Sequence, residues 1–457
     1  MSESVAHLIT VTDLSVGNLS TIIYNLLPSG GFGKIFLKPN WVKHEEHSAF
    51  PIGALVTSSS VVRATLDACL QKYPTAEEIT IADVPLQGCN WRMLIEQSGI
   101  RSLADAYRRY RRPIIRFLDL RREYAEGSGG YVRQIPSPSG GDPKGYREIM
   151  LDEESFLDPV SSETSKFRVS DYSPTRTTSS HRRGFHRYLV AASALDCDLF
   201  LNLPKVKTHQ KSGITGALKN LVDINGEKGY LVHYRQKKSG RQGDEFPPDV
   251  SPLILFQTRL RDALQGQSRT LFSLLGAAWQ LLRKSRGIET IATRERLHDQ
   301  DTRFFIAPGA WYGNDTIWRM VYDLNLIVRY AGRNGNRLCS KPQREYFAIA
   351  DGIVAGEGNG PLQPLPVSLG RLLASPDPFL VDMVMARIMG FAHEQIPLLA
   401  NVQQFNRGEW GKFDPERTTI IADGKRIIGI GSVPVVHEFM PPPGWKGHIE
   451  NVLEHKL

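Results

Sequence analysis

The first 125 residues alternate between strand-like and helix-like patterns, and this alternation constrains the fold more than any other feature of the sequence. The helix-like segments, residues 16–27 and 58–72, carry apolar side chains at helical spacing. Such alternation predicts an α/β fold, in which flanking helices cover a mostly parallel sheet. The strand-like segments are residues 8–12, 34–38, 78–83 and 114–118.

The rest of the chain continues this plan with two interruptions. Residues 125–185 are rich in Gly, Ser, Pro and Arg, which predicts a long irregular excursion with room for short antiparallel pairs. A second α/β pattern begins near residue 344, and the tail after residue 396 is expected to be peripheral. The predicted units are a first α/β half (1–244), a helical insertion (245–300) and a second α/β half (301–457) that completes the site.

The insertion is predicted from residues 253–286, where leucines recur among arginines. This pattern indicates a pair of helices, with Gly266 as a candidate break. Their apolar face could pack on the same chain, form a homodimer surface or act as a lid. Attachment of a basic amphipathic helix to a membrane surface is a further alternative.

The composition is that of an ordinary globular protein, with 41% hydrophobic and 23% charged residues. The formal net charge of +8 favours anionic partners only weakly. Much of the excess lies in residues 176–187 and 228–241, whose Ser and Gly content predicts exposed loops. No nucleic-acid-binding module accompanies the charge, so we expect no nucleic-acid partner.

The cysteine spacing and the hydropathy exclude several classes of protein. No two of the four cysteines stand at the two-residue spacing of zinc ribbons and iron–sulfur sites, so we expect no iron–sulfur cluster in this chain. The N-terminus lacks the pattern of a signal peptide, and no apolar run reaches about 18 residues. We therefore expect a cytoplasmic protein without a membrane span.

The strongest indication of chemistry is a crowd of basic side chains after an apolar run at residues 199–203, which reads as a core strand. Burying an ammonium group is costly unless it is paired, and strand ends in α/β sheets are where ligands usually bind. Gly213 and Gly216 stand close together, which indicates that the backbone approaches another group there. A solvated basic loop is the alternative. The polar residues of this segment are Lys205, Lys207, His209, Lys211, Lys219 and Asn220. Of these, we expect Lys205, Lys207 and Asn220 to bind substrate.

Two further polar clusters follow predicted strands in the first half. Lys38 and Asn40 flank Pro39, where the chain leaves the sheet, and we expect both to bind an anionic substrate. Asp83 ends the strand at residues 78–83. Its carboxylate could orient a hydroxyl group, hold a metal ion or cap the next helix.

The third cluster is the string DGIVAGEGNGP, at residues 351–361. Its four glycines would let the backbone approach a ligand closely while Glu357 projects into the same space. Asn359 is expected to bind substrate in this loop. The spacing differs from GxGxxG, so a dinucleotide-binding fold is poorly supported. An ordinary glycine-rich turn is the alternative.

Asp382 lies in the apolar string FLVDMVMA, so we expect it to be buried and to need a partner. A lysine of the central basic segment is the natural candidate. Asp377 precedes it by five residues, about 140° away around the helix axis. The two carboxylates therefore cannot face one ligand.

Several of these strings resemble the domain of unknown function 362 family, a bacterial and archaeal group without one agreed activity. LNLPKVKTH…GITGALKNL is similar to the family signature, and FLKPNWV, DGIVAGEGNGPLQ and LLASPDPFLVDMVMARIMGF are similar to other family segments, in the expected order. The resemblance covers about residues 33–400. Some relatives carry fused ferredoxin-type modules, which implies an electron-transfer alternative that would need a separate iron–sulfur partner.

A more distant likeness is to the nickel-pincer lactate racemases, which carry a histidine, a Gly-rich turn and a lysine that holds the cofactor. Here His209 precedes Lys219 by ten residues across QKSGITGAL. The turn has fewer glycines than in the racemases, and their N-terminal phosphate motif has no counterpart. The likeness implies a shared ancestral site.

We predict acid–base chemistry of isomerase, racemase or lyase type on a small anionic metabolite. In this prediction His209 moves a proton, lysines stabilise an oxyanion or enolate, and Glu357 is the partner base or a metal ligand. The alternatives are the electron-transfer protein above and a non-catalytic anion-binding or assembly protein. The residues that could hold a divalent metal are His209, Asp83, Asp351 and Glu357.

Overall fold

The predicted α/β architecture is confirmed. The computed structural model describes residues 5–451 except 127–132, 163–166, 170, 171, 173, 238, 240–242, 251, 253, 254, 257 and 260–306. Its centre is a mostly parallel sheet of twelve strands. Most of the predicted insertion at 245–300, including the helix pair and homodimer surface at 253–286, lies outside the described residues.

The strands and helices follow one another in the order that the alternation predicts for the first half. The strands are β1 (Val5–Thr10), β2 (Lys34–Pro39), β3 (Glu78–Asp83), β4 (Ile114–Asp119), β5 (Glu123–Glu126), β6 (Arg133–Pro136), β7 (Tyr146–Met150), β8 (Phe167–Arg168), β9 (His181–Arg182), β10 (Phe185–Ala191), β11 (Leu199–Leu203), β12 (Lys205–His209), β13 (Gly213–Thr215), β14 (Tyr234–Arg235), β15 (Glu345–Asn359), β16 (Gln363–Val367), β17 (Arg371–Ser375), β18 (Thr419–Ala422) and β19 (Lys425–Ile428). The α-helices are α1 (Val16–Leu26), α2 (Ile52–Leu55), α3 (Ser59–Lys72), α4 (Trp91–Gln97), α5 (Ile100–Tyr107), α6 (Pro174–Ser180), α7 (Ala192–Leu195), α8 (Ala217–Asn220), α9 (Ile317–Tyr330), α10 (Pro378–Ile388) and α11 (Pro397–Ala400). Short 3₁₀ helices span Asp152–Glu154, Asp158–Val160, Leu221–Ile224, Lys228–Tyr230, His393–Gln395, Val402–Gln404, Ile430–Ser432 and Pro443–Trp445.

The order of the main sheet is β19-β18-β1-β17-β15-β11-β2-β3-β4. Strands β16 and β12 pair with β15, and β13 pairs with β12. Strands β15, β11, β2, β3 and β4 run parallel to one another. Their carboxyl ends therefore lie along one edge of the sheet, which we call the carboxyl edge.

Local sequence explains why the predicted helices of the first half form. The Ser15 hydroxyl accepts a hydrogen bond from the N–H of Asn18 at the start of α1, and the Ser58 hydroxyl caps α3 through the N–H of Val61. Such caps satisfy N–H groups that have no partner within the helix. Both helices then bury apolar side chains in one hydrophobic cluster with β2. A second cluster contains α9 and α10 and lies on the other face of the sheet.

The predicted excursion at 125–185 contains short antiparallel pairs. Strand β5 pairs with β6, β10 pairs with β7 and β9, and β8 pairs with β14. Within the part of the chain that the structure describes, no helix combines the length and the apolar character needed to cross a membrane.

The tail after residue 396 is not peripheral as predicted. Strand β18 pairs in parallel with β1, and β19 extends the sheet to its edge. Trp445 is buried, and its indole N–H donates to the carbonyl of Gln210 at 2.6 Å. The prediction was wrong because these short strands gain their stability from pairing with β1, some 400 residues earlier in the chain, and local periodicity carries no sign of that contact.

Candidate active site at the carboxyl edge

Much of the central basic segment forms buried strands, and the alternative of a solvated basic loop is not what the structure shows. After β11 the chain passes Pro204 and continues as β12, which pairs in parallel with β15. The register shifts along this pair, so that Lys205 lies opposite Asp351 and Lys207 lies opposite Gly356. Strand β13 then folds back on β12. It contains three of the four residues of the Gly-Ile-Thr-Gly string at positions 213–216.

A cavity of about 330 Å³ opens beside this hairpin. Of the residues predicted to bind substrate or to act in catalysis, Asn40, Lys207, His209 and Lys219 line it. The other ionisable side chains in its wall are Tyr172, Lys211, Asp223, Lys228 and His233. The apolar wall includes Val42, Leu86, Val222, Leu231 and Leu362.

Lys219 is the central cation of this cavity. Its side chain is buried, at 7% exposure, and lies in the short helix α8. Within the described part of the chain it forms no side-chain hydrogen bond or ion pair. Burial lowers the pKa of Lys219 to about 8, although nearby Asp223 opposes the change. A buried amine that titrates near neutral pH is a functional-site candidate.

Lys207 lies beside it and differs in having a fixed contact. Its ammonium donates to the carbonyl oxygen of Leu55 at 2.5 Å. Burial, together with the charge of Lys205, lowers the pKa of Lys207 to about 7. Two lysines of the cavity therefore exchange protons in the neutral range.

His209 is held in one tautomer. Its Nδ1 accepts a hydrogen bond from the backbone N–H of Lys211 at 3.1 Å, so the neutral ring carries its proton on Nε2. Burial, reinforced by Lys219, holds the pKa of His209 well below its ordinary value. The imidazole is therefore a neutral hydrogen-bond donor over the working pH range.

His233 and Asn40 line the same cavity, and each has a buried polar atom without a hydrogen-bond partner in the described part of the chain. The Nδ1 atom of His233 and the Oδ1 atom of Asn40 are buried, and neither has a hydrogen-bond partner among the residues that the structure describes. Burial, followed by the charge of Lys211, holds the pKa of His233 well below normal. Buried polar groups in proteins are usually satisfied, so two unpaired atoms in residues of one cavity wall are unusual.

Asp223 is the one carboxylate among the described residues that line the cavity. It forms an ion pair with Lys228, which also donates to the carbonyl of Val84 at 2.9 Å. Burial alone would raise the pKa of Asp223, but Lys228, Lys38 and Lys219 outweigh it and hold the pKa below its ordinary value. The carboxylate therefore stays charged and compensates Lys228.

Two predicted ligand-binding lysines instead form buried ion pairs behind the cavity wall. Lys205 lies 2.9 Å from the carboxylate of Asp351, and Lys38 lies 2.5 Å from that of Asp83. All four side chains are fully buried. Burial raises the pKa of Asp83 to about 6, against the opposing charge of Lys38. The expectation that Lys38 and Lys205 bind substrate directly is therefore not supported by their positions.

A chain of amides connects the Lys38–Asp83 pair to the cavity, since the Lys38 ammonium donates to the Oδ1 of Asn220 at 3.4 Å. The Asn40 amide donates to the Oδ1 of Asn220 at 3.0 Å, and Asn220 donates to the Oδ1 of Asn202 at 2.7 Å. Asn202 in turn donates to the carbonyl of Ala217 at 2.7 Å. Asn220 is thus a positioning residue for Asn40 and α8, not the substrate-binding residue that we expected.

The two conspicuous glycines approach protein groups. Gly213 has φ of +80°, and a Cβ there would lie 3.2 Å from the Trp445 ring. A Cβ on Gly216 would lie 2.1 Å from the carboxylate of Asp382. The close approach that we predicted is present at both positions, and it is the fold that requires it.

The predicted lysine partner of Asp382 was wrong. The carboxylate accepts hydrogen bonds from the N–H groups of Ala217, at 2.5 Å, and Leu218, at 3.0 Å. It thereby caps α8 from α10, and burial raises the pKa of Asp382 to about 7. Backbone N–H groups that lack an intrahelical partner provide this partnership as well as an ammonium group would.

Glu357 and Asn359 lie outside the cavity because the glycine-rich string continues β15 instead of forming a loop. Glu357 accepts from the N–H of Met440 at 3.0 Å and lies 3.6 Å from the Nε2 of His437. Asn359 donates to Gln363 at 3.0 Å and lines a separate cavity of about 230 Å³. Glu357 is therefore not among the described residues that line the cavity with the lysines, and its predicted catalytic role stays a prediction.

The four candidate metal ligands are not brought together. Asp83 and Asp351 are engaged by lysines, His209 lies in the cavity, and Glu357 lies outside it. Throughout the described ranges, no three His, Cys, Asp or Glu side chains are grouped as a metal ion would require.

Two cavity residues were missed although the sequence held a signal for them. Asp223 stands in the same segment as Lys219, and Lys228 was assigned to an exposed basic loop although it is 3% exposed. Their five-residue separation across a Gly-containing turn is compatible with an ion pair. His233 lies shortly after Lys228 in the sequence, but no flanking pattern distinguishes it from a histidine of the hydrophobic core.

Comparison with known proteins supports the family resemblance. Residues 145–387, more than half of the chain, match the family described as Domain of unknown function (DUF362). The Thylakoid-associated protein sll1697 of Synechocystis sp. is 38% identical over 76 residues, which is 15% of this chain and 24% of that protein. A Thermotoga maritima crystal structure from the Northeast Structural Genomics Consortium covers 80% of this chain and 55% of its own at 10% identity, with a TM-score of 0.34. The likeness to lactate racemases stays a prediction.

Proposed function

Because the chain belongs to the DUF362 family, whose domain is of unknown function, we propose a function from the cavity itself. The cavity binds a small anionic metabolite and moves a proton on it, as an isomerase, racemase or lyase does. The observation that carries this proposal is Lys219, a buried lysine that lacks a partner within the described residues and titrates near pH 8.

The charge balance of the cavity supports an anionic ligand. Among the described residues, four lysines and one carboxylate line it, and that carboxylate, Asp223, is already paired with Lys228. A buried cation without a counter-charge is unfavourable. An anion bound beside Lys219 and Lys207 would supply the missing charge. A cavity of about 330 Å³ is suited to a metabolite rather than to a polymer.

The lysines are better suited to proton transfer than His209. A general base works best when its pKa lies near the operating pH, and the pKa values of Lys207 and Lys219, about 7 and about 8, meet this condition. His209 has a lowered pKa and an occupied Nδ1. We therefore assign it the role of a neutral donor that stabilises a developing oxyanion through Nε2–H, and this differs from the proton-moving role predicted from the sequence.

Lys219 is the assigned base because its amine has no hydrogen-bond or ionic partner among the described residues. Lys207 is anchored on the Leu55 carbonyl, which fixes the position of its amine as a hydrogen-bond donor toward the cavity. Asn40 lines the cavity, and its amide carries both donor and acceptor groups for a polar substrate. This set suits a hydroxy or keto acid, a sugar acid or a phosphorylated metabolite.

The first test is a thermal-shift screen with lactate, pyruvate, glycerate, oxalate and inorganic phosphate. Wild type and Lys219→Met are compared with Lys425→Met, which removes an exposed lysine from edge strand β19. We expect at least one anion to stabilise wild type and Lys425→Met but not Lys219→Met.

The second test uses any acid that binds. It is incubated with protein in D₂O, and deuterium at its carbon atoms is followed by NMR. Exchange by wild type that disappears in Lys219→Met supports the proposal. Binding that depends on Lys219 without any exchange would leave only a non-catalytic anion-binding protein, and no binding at all would overturn both functions.

A further inference from the structure

A second surface feature lies far from the cavity and has no role in it. Residues 108–116 contain five arginines within nine positions, namely Arg108, Arg109, Arg111, Arg112 and Arg116. All five are exposed. Tyr110 and Ile114 lie among them and are 48% and 47% exposed, which is unusual for large apolar side chains in this protein. We call these seven residues the arginine turn.

The arginine turn lies at the amino ends of the parallel strands, whereas the cavity lies at their carboxyl ends. Helix α5 ends at Tyr107, and the edge strand β4 begins at Ile114. Ile114 pairs with Glu78, the first residue of β3, so it stands at the amino end of the parallel strands. The cavity lies at their carboxyl ends. A partner could therefore bind the turn without covering the cavity.

The positive charges of the arginine turn have no ionic partner among the described residues. Within the described ranges, none of the five arginines forms a side-chain hydrogen bond or an ion pair, although Arg121, which follows soon after in the sequence, does. The neighbouring carboxylates Asp105 and Glu77 are exposed and make no pair with them. Charges on an edge strand discourage aggregation, but four of the five arginines precede β4.

The exposed aromatic side chain within the turn is held in place. The Tyr110 ring stacks on Tyr107, with ring centroids 5.5 Å apart and planes 29° apart. Tyr107 is buried, and its hydroxyl bonds to Asp67. The fold thus presents an ordered ring and an exposed isoleucine surrounded by guanidinium groups.

We propose that the arginine turn docks the protein on an anionic lipid membrane. Clusters of basic residues are attracted to anionic headgroups at about 1 kcal/mol per residue. An exposed tyrosine and an aliphatic side chain among them match the amphipathic character of the membrane interface. Nucleic acid would use the charges equally well, but it would gain little from Ile114, whose side chain offers neither charge nor a stacking surface.

The test is co-sedimentation of the full chain with vesicles. One set is phosphatidylcholine alone, and the other is an equal mixture of phosphatidylcholine and phosphatidylglycerol. Wild type is compared with a variant in which Arg108, Arg109, Arg111 and Arg112 are replaced by Gln. The control variant carries Arg→Gln at four other exposed positions, Arg182, Arg183, Arg337 and Arg417.

We expect wild type and the control variant to bind the mixed vesicles, to leave phosphatidylcholine unbound and to be released by salt. The arginine-turn variant should partition at least about a hundredfold more weakly. Tyr110→Ser with Ile114→Ser should weaken binding about tenfold while leaving the charges intact. Unchanged melting temperatures ensure that these losses are not unfolding.

Three results would overturn the proposal. The first is that wild type does not bind the mixed vesicles. The second is an equal loss in the control variant, which would make the effect one of net charge. The third is tight binding to duplex DNA or RNA that depends on the arginine turn but not on Tyr110 and Ile114, which would identify a nucleic-acid surface instead.

Discussion

The carboxylate of Asp382 occupies the space that a side chain at position 216 would need. A Cβ built on Gly216 would lie 2.1 Å from its Oδ1, and the same carboxylate accepts the N–H groups of Ala217 and Leu218. This contact between α10 and the start of α8 places Lys219 at the cavity. The position of the candidate base therefore depends on an aspartate 163 residues away in the sequence.

Gly216→Ala should destabilise the protein by about 1–3 kcal/mol, because the added methyl group displaces a buried and hydrogen-bonded carboxylate. Chemical denaturation measures the loss. Gly17→Ala is the matched control, since Gly17 is exposed in α1 and a Cβ there meets nothing within 4 Å. The control should be neutral or stabilising by up to about 1 kcal/mol. Equal stability of both variants would contradict the close contact.

Lys205 and Lys219 should respond oppositely to replacement by methionine. Lys205→Met leaves Asp351 buried without its ammonium partner and should cost about 3–5 kcal/mol of unfolding free energy. Lys219→Met removes a buried cation that has no partner among the described residues and should leave stability unchanged or raised. Denaturant titration at neutral pH distinguishes them. A large loss in Lys219→Met would mean that this lysine holds the fold together.

The lowered pKa of Lys219 also predicts a pH dependence of stability. Burial brings its pKa from 10.5 to about 8 in the folded protein. Between these two values the unfolded chain binds more protons than the folded one, so the contribution of this group to stability rises with pH across that window. Below about pH 8 both states are protonated, and its destabilising contribution stays constant. The free energy of unfolding of Lys219→Met, plotted against pH, should therefore have a less positive slope than that of wild type between about pH 8 and 10.5. Equal slopes would contradict the lowered pKa of Lys219.

His209→Gln should lower deuterium exchange by about a hundredfold or more, because a positioned oxyanion donor is lost from the cavity. Its melting temperature should change little, since the Gln amide retains hydrogen-bonding capacity at a cavity wall. His47→Gln replaces an exposed histidine and should change neither property. Loss of exchange in both variants would indicate a general effect rather than a role for His209.

Local patterns predicted the first half of the sheet well. The bounds of β3 coincide with residues 78–83, and α1 and α3 begin within one residue of the predicted helices. These elements carry their own information, since serine caps start the helices and continuous apolar runs form strands that are buried on both faces. The role of each lysine could not be predicted in the same way. Lys205 and Lys207 look equivalent at alternate positions of one strand, yet only Lys205 has a carboxylate partner, and that partner lies 146 residues away.

Local sequence patterns also carry no sign of the long-range contacts that shape the glycine-rich string at residues 351–361, the partner of Asp382 and the tail. A glycine-rich string that reads as a loop becomes the end of β15 because β12 and β16 pair with it. The partner of Asp382 is a backbone N–H group and not a lysine. Every residue except proline carries such a group, so the sequence does not show which one a buried carboxylate will bind. Each error concerns a long-range contact, and the elements that failed are those whose stability depends on such contacts.

The most direct measurement of the central claim is the pH dependence of deuterium exchange by wild type, Lys219→Arg and Lys425→Met, with whichever anion stabilises the protein. If Lys219 is the base, exchange by wild type and Lys425→Met rises with pH around a midpoint near 8. Lys219→Arg should show none, because a guanidinium stays protonated throughout this range. Exchange by Lys219→Arg at the wild-type rate would contradict the account, since the lysine would then supply only positive charge.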